Sequence, residues 1–151
     1  MSNSMAQANL DRLAAQHAQN IIRRLVDEDK DGKDRTNSKE IKKAASIADN
    51  TVTKALGVLQ ENGVYACFLY LKAKEKENGD VVIEEMLNLL DRLGFGWSKP
   101  EDENGRVDTS AEAVLKHVTE KVTANLERLL LAKETLEQML IYARYGAKAR
   151  G

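Results

Sequence analysis

Residues 110–145 read SAEAVLKHVTEKVTANLERLLLAKETLEQMLIYARY, a stretch without glycine or proline. Leu115, Val118, Val122, Leu126, Leu129, Leu136, Leu140 and Ala143 recur at helical spacing, interrupted by Asn125 and Lys133. That period marks one face of a helix for burial. An unbroken helix of about 36 residues is on the order of 54 Å long. This exceeds what a small domain needs to wrap its own core, so the segment reads as a strut for an assembly.

Working outward, the chain of 151 residues has the length of one domain with a real core. Aromatic content is 5%, proline occurs once and charged residues make up 31%, the profile of an all-helical protein. A formal net charge of -1 excludes a globally basic coat but leaves local basic patches open. The single cysteine, Cys67, cannot form an intramolecular disulfide, and its apolar neighbours suit a packed thiol in a reducing compartment. No run of apolar residues is long enough to span a membrane and no signal-peptide pattern opens the chain, so a cytoplasmic location is expected.

Further helices follow from the same reasoning. Leu10, Leu13, Ala14, His17, Ile21 and Leu25 share one face, which ends near Val26 or Asp27 before the charged run to Asp34. Asn37 with Glu40 forms a capping box, followed by a face of Ile41, Ala44, Ala45, Ala48 and Val52, a kink or break at Asp49 and Asn50, and closure at Asn62 and Gly63. The next helix is expected from Val64 to about Lys76, ended by Asn78 and Gly79, with Asp80 capping a fourth through Leu93. Residues 94–108 carry loop chemistry and read as the least ordered interior segment, after which Thr109 and Glu112 cap the long helix. No internal repeat at fixed period is visible. The expectation is an all-α, single-domain bundle of about five to six helices. A helical domain at 10–146 would follow a flexible N-terminus at 1–9 and precede a basic tail at 147–151.

Enzyme chemistry finds little support. Asp27, Asp29, Asp31 and Gly32 imitate the opening of a calcium loop, but Asp34 stands where an aliphatic is needed and Ser38 where a bidentate glutamate is needed. His17 and His117 have no second histidine or cysteine at ligand spacing, and Cys67 has no base near it in sequence. Gly94-Phe95-Gly96 lacks the third glycine of a dinucleotide fingerprint. No metal, cofactor or catalytic group is therefore expected. Basic residues cluster instead at Arg23 and Arg24, at Lys39, Lys42 and Lys43, at Lys72, Lys74 and Lys76, and at Arg144, Lys148 and Arg150. Such clusters track a phosphate backbone without reading sequence.

Two segments, Val58–Lys74 (VLQENGVYACFLYLKAK) and Leu129–Arg144 (LLLAKETLEQMLIYAR), resemble the characteristic segments of the small all-helical subunit of the type III-B CRISPR Cmr effector complex. Gly63, Val64, Phe68 and Lys72 take the family's glycine, aliphatic, aromatic and lysine places; Thr135, Leu136 and Arg144 take those of its closing helix. The resemblance implies a non-enzymatic structural subunit of an antiviral RNA-targeting complex. Its copies would stack as the inner filament beside other Cmr proteins and meet guide and target RNA. It points to Lys72 and Arg144 as contacts with RNA or a neighbouring subunit, and charge adds Lys42, Lys43, Lys74 and Lys148. The alternative from a different class is a helical adaptor or oligomerisation module without nucleic acid.

Overall fold

Helix boundaries fall where capping side chains and tight turns stand. The structure is a computed structural model that describes the backbone of residues 3–151 and the side chains from Asn9 onward. Six α-helices form among the described residues: α1 (Asn3–Ile22), α2 (Ser38–Asn62), α3 (Val64–Lys74), α4 (Lys76–Asp91), α5 (Ala111–Glu120) and α6 (Leu126–Arg150). No strand is present among them, so the chain is an all-α bundle. α1 continues as a π-helical turn, Arg23–Asp27, and stops where the acidic run was expected to end it. It begins at Asn3 rather than near Leu10, because Met5, Ala6, Gln7 and Ala8 are strong helix formers. Of the N-terminus expected to be flexible, Met1 and Ser2 lie outside the described residues.

Asn37 caps α2 as expected, its side chain accepting from the amides of Lys39 (2.9 Å) and Glu40 (3.2 Å). The sequence allows a kink or break at Asp49 and Asn50, and no break occurs there, α2 continuing through both residues. Asp49 accepts the Thr53 hydroxyl at 2.9 Å and pairs with α6, so its carboxylate does not compete for its own backbone. Gly63 closes α2 at φ 96°, a conformation that favours glycine, and α3 starts at the next residue.

Two other expectations are corrected. Asn78 and Gly79 do not terminate a helix, and Asp80 does not cap one: α3 ends at Lys74 and α4 is already under way at Lys76. Gly79 serves close approach, since a Cβ there would lie 2.4 Å from the Leu71 carbonyl oxygen. The long C-terminal helix is also divided. Thr119 and Thr123 turn their hydroxyls back onto the carbonyls of Leu115 and Thr119, the helix tightens into a 3-10 turn at Val122–Ala124, and Asn125 caps a new helix by accepting from the Arg128 amide. α6 still runs for 25 residues, and the expected basic tail forms its last turns, with Ala147 buried.

α6 is the spine. It runs antiparallel to α2, with Lys133 reaching the Gln60 carbonyl at one end and Lys148 reaching Asp49 at the other, and parallel to α1, with Tyr142 on Asp11 and Arg150 on Asp27. Small side chains let the three helices come close: Ala14, Ala18, Ala44, Ala45, Ala48, Ala132, Ala143 and Ala147 are buried. A Cβ on Gly146 would sit 2.9 Å from Ile22 Cγ1. The larger apolar residues, Phe68 and Leu71 of α3 and Ile83, Met86, Leu87 and Leu90 of α4, fill the other half of the core. Each contributes about 1.5–3 kcal/mol by leaving water.

The loops after α1 and α4 share one turn. Asp29 Oδ1 accepts from the amides of Asp31 and Lys33, and Asp102 Oδ1 accepts from those of Asn104 and Arg106. Gly32 and Gly105, both at positive φ, donate to the carbonyls of Asp29 and Asp102. Isolated bridges close each loop, Glu28 to Asp34 and Glu101 to Val107. Asn37 and Ser110 then cap the following helices, so the α5 cap stands one residue beyond the expected Thr109. The second loop, expected to be poorly ordered, is anchored. Trp97 is buried edge-on to Phe95, whose ring lies under the Arg128 guanidinium, and the Lys99 amide donates to Asp91.

Candidate nucleic-acid interface

The basic side chains singled out from sequence fall in three places. Lys42 and Lys43 project from the first turns of α2 and are exposed, and neither forms an ion pair among the described residues. Arg144 and Lys148 lie on α6 opposite Asp49 of α2, with Lys148 Nζ 3.2 Å from Oδ2 and Arg144 Nε 3.9 Å from Oδ1. Burial would raise the Asp49 carboxyl, but the Thr53 hydroxyl, Lys148 and Arg144 outweigh it and hold the carboxyl below its usual range. Two cations therefore share one anion. Lys42 precedes Asp49 by two helical turns, on the order of 10 Å along the same face. Lys148 and Arg144 thus meet at Asp49 on the α2–α6 seam, and Lys42 stands on the Asp49 face of α2 toward the end where α6 stops against Ala45.

Lys72 is drawn elsewhere. Its Nζ lies 2.7 Å from Asp80 Oδ1, a tie between α3 and α4, and it also helps lower the Asp108 carboxyl, which is held down chiefly by hydrogen bonds from Ser110. An exposed Lys74 lines a groove of about 530 Å³ between α2 and α3 with Lys54, Gly57, Val58, Glu61, Tyr70 and Glu75. Glu75 accepts from Thr51 and Tyr70, both at 2.7 Å. Burial first, then Glu75, push the Tyr70 phenol up to about 12. The structure thus joins Arg144 and Lys148 at Asp49, sets Lys42 on the same face of α2 and Lys43 on a neighbouring one, and ties Lys72 to Asp80 and Lys74 to the α2–α3 groove.

Sequence reasoning passed over Lys54 in the groove and Lys133 at the far end of the seam, where it lies 3.8 Å from Glu137 Oε1. The signal for Lys133 was its place on the Arg144 and Lys148 side of the closing helix. Arg150 forks onto both carboxylate oxygens of Asp27 at 3.2 Å and serves as a tie between α6 and the end of α1.

Reactive groups elsewhere are buried or engaged in internal bonds, His117 Nε2 alone among the histidine nitrogens being buried without a hydrogen-bond partner. Cys67 is fully buried, donates to the Ala55 carbonyl at 3.4 Å, and has its thiol pushed up to about 12 by burial. His17 Nδ1 faces Glu85 Oε1 at 3.0 Å while Nε2 faces Arg92 at 3.4 Å. Asn20 and Arg24 complete the Glu85 shell, and with His17 they lower its carboxyl despite its burial. His117 is held below its ordinary value by burial, then by Lys121, against the opposing pull of Asp91. Asp29 caps its own loop and Asp27 takes Arg150, so the calcium-like spacing is spent on internal bonds. Among the described residues no group of three or more His, Cys, Asp or Glu is placed to hold a metal ion, and no helix is long and apolar enough to cross a membrane. Comparison with protein-family models, with curated proteins and with solved structures finds no match to the chain.

Proposed function

We propose that this chain is a non-catalytic structural subunit of a cytoplasmic type III-B CRISPR RNA-guided RNA-targeting complex, part of its inner filament and in contact with the phosphate backbone of guide or target RNA. The observation that carries the reading is the α2–α6 seam, where Lys148 and Arg144 share one carboxylate, Asp49, with an unpaired Lys42 about two turns away on the Asp49 face of α2, on a chain whose net charge is only -1. Such a cluster suits binding by charge without base readout. The resemblance of Val58–Lys74 and Leu129–Arg144 to that family's segments supports the same reading. Other Cmr proteins and further copies of the chain are the partners it implies.

The test is a pull-down of the tagged chain from its native host, with sequencing of bound RNA and mass spectrometry of bound protein. Short guide RNAs with repeat-derived ends and several RAMP-type proteins are expected. In vitro, Lys42→Glu with Arg144→Glu is expected to weaken single-stranded RNA binding, and Asp49→Asn to strengthen it. Each lost phosphate contact reduces the salt slope by about 0.7. Lys72→Glu is the poorer probe, because it sets a second carboxylate beside Asp80. Recovery of protein partners without RNA refutes the proposal.

A second reading has its own observation. Leu126 (68% exposed) and Leu130 (56%) stand on the projecting first turns of α6, a surface that suits a helical adaptor. That reading predicts partner binding unaffected by Lys42→Glu and Arg144→Glu and abolished by Leu126→Glu with Leu130→Glu.

A further inference from the structure

The chain contains three Asn-Gly pairs, at 62–63, 78–79 and 104–105. In such a pair the glycine backbone nitrogen can attack the asparagine side-chain carbonyl carbon. The new N–C bond closes a five-membered imide, ammonia leaves with the side-chain nitrogen, and water then opens the ring to aspartate or isoaspartate. Only water is consumed. No oxidant, metal or partner enzyme is needed, and the fold decides which pair reacts. Ring closure needs the peptide between the two residues to turn out of its resting geometry.

Two of the pairs are held by helices. Asn78 and Gly79 lie inside α4; the Gly79 amide donates to the Glu75 carbonyl at 3.1 Å, and the residue is buried against the Leu71 carbonyl. Turning that peptide requires the α3–α4 corner to open. Gly63 is held on both sides, its amide donating to Leu59 at 3.0 Å and its carbonyl accepting from Cys67 at 3.1 Å. Turning the peptide at 62–63 therefore unravels the end of α2 and the start of α3 together.

Asn104 and Gly105 stand at the tip of the second acidic loop, where residues 101–106 are all exposed. The Gly105 amide makes a single turn bond, 3.1 Å to the Asp102 carbonyl, and open space surrounds its Cα. The loop remains anchored below the tip by the Asp108 amide on the Pro100 carbonyl and by buried Trp97, so the tip can open without the bundle. We propose that Asn104 is a self-modification site of the folded protein, converting spontaneously to aspartate and isoaspartate while Asn62 and Asn78 are preserved.

Conversion adds a negative charge beside Glu101, Asp102 and Glu103. The isoaspartate product also lengthens the main chain by one methylene, between the amides of Asn104 and Gly105 that the turn directs at Asp102. Both changes disturb the face where the loop meets Arg24, Asp80, Glu84 and Asn88 across a cleft of about 530 Å³. The matching turn of the first loop carries Asp31-Gly32, which reaches the same imide by losing water and reopens without change of mass.

The experiment is to age the full chain at mildly alkaline pH, natively and in urea, and to map peptides over time for amide-to-acid mass gain and for isoaspartate. In urea all three asparagines should convert at comparable rates. In the native protein conversion at Asn104 should be at least tenfold faster than at Asn62 or Asn78, on the general ground that exposed turns open far more often than helices. Asn104→Ser should remove the native signal and leave the urea pattern at the other two sites. Native conversion spread over all three sites, or a native Asn104 as inert as the other two, overturns the proposal.

Discussion

Replacing Gly79 by alanine tests whether that residue is a contact glycine or a helix stop. In an open helix interior, glycine to alanine stabilises by up to about 1 kcal/mol, through backbone entropy and propensity. Gly57, in the middle of α2, meets this condition, because nothing lies within 4 Å of a Cβ built on it. At Gly79 the same methyl would lie 2.4 Å from the Leu71 carbonyl oxygen, 3.0 Å from Glu75 Cβ and 3.1 Å from the Leu71 carbonyl carbon. Ordinary contact between heavy atoms is about 3.5–4.0 Å. Two of the three obstacles are backbone, so relief requires α4 to move off the end of α3, straining the Lys72 tie to Asp80. Overpacking costs about 1–3 kcal/mol, and an approach this close to backbone belongs in the upper part, about 2–3, so that a propensity gain of up to about 1 leaves a net loss of about 1–2 kcal/mol. In a chain of this length that lowers Tm by about 2–8 °C. Urea unfolding followed by far-UV circular dichroism on both variants gives the comparison, provided the m-value is constant. Gly57→Ala should raise the midpoint and Gly79→Ala should lower it. A Gly79→Ala protein at least as stable as its parent refutes the packing argument.

The buried Glu85 should be the costliest single polar deletion. Glu85→Ala strips His17 and Asn20 of their acceptor, leaves Arg24 with Glu84 alone, and is expected to lose about 2–3 kcal/mol in urea melts, the remaining Glu84 tie and the partial exposure of Arg24 keeping it below a fully buried pair. Loss under 1 kcal/mol would show that the cluster is replaced by water. His117 makes stability pH-dependent: its folded value lies below the unfolded one, so the unfolded chain takes up the proton first as pH falls. The His117 contribution is therefore complete above about pH 6.5 and is lost between that value and the folded one. Midpoints at pH 7.5 and 5.5 should converge in His117→Gln, and an unchanged difference counts against the assignment. Cys67 should resist iodoacetamide in the folded protein and react once unfolded, since thiolate is scarce at a value near 12. Rapid native alkylation would contradict its burial.

Helix content and the principal caps were legible because they depend on neighbours in sequence: Asn37 before Ser38-Lys39-Glu40, and the apolar spacing of α1, α2 and α6. The break at Lys121–Asn125 was not. Its apolar spacing resumes on either side of Asn125, and the deciding events are hydroxyl bonds from Thr119 and Thr123 and a cap from Asn125, an asparagine that otherwise passes as a polar interruption of a long helix. Gly79 misled for the converse reason: Asn-Gly is ordinarily turn chemistry, and only the approach of α3 shows that the glycine is needed for space. The basic residues were legible as charges but not as a surface. Whether a lysine is free depends on partners from other elements, such as Asp80 for Lys72 or Asp49 for Lys148. The matching acidic loops, Glu28-Asp29-Lys30-Asp31-Gly32-Lys33 and Glu101-Asp102-Glu103-Asn104-Gly105-Arg106, do share a six-residue pattern, but it occurs only twice and so makes no fixed-period repeat.

The position of α6 between α1 and α2 has a consequence for how the chain is made. Much of the cover over the alanine-lined faces of α1 and α2 comes from α6, the last helix in chain order. On the ribosome, where folding proceeds from the N-terminus, α1 can find α4 and α2 can find α3, but the seam between α1 and α2 must wait for α6 to emerge. Until then the nascent chain carries an open apolar cleft. The bundle closes only when α6 docks, which makes that helix the step at which the domain either folds or meets a chaperone.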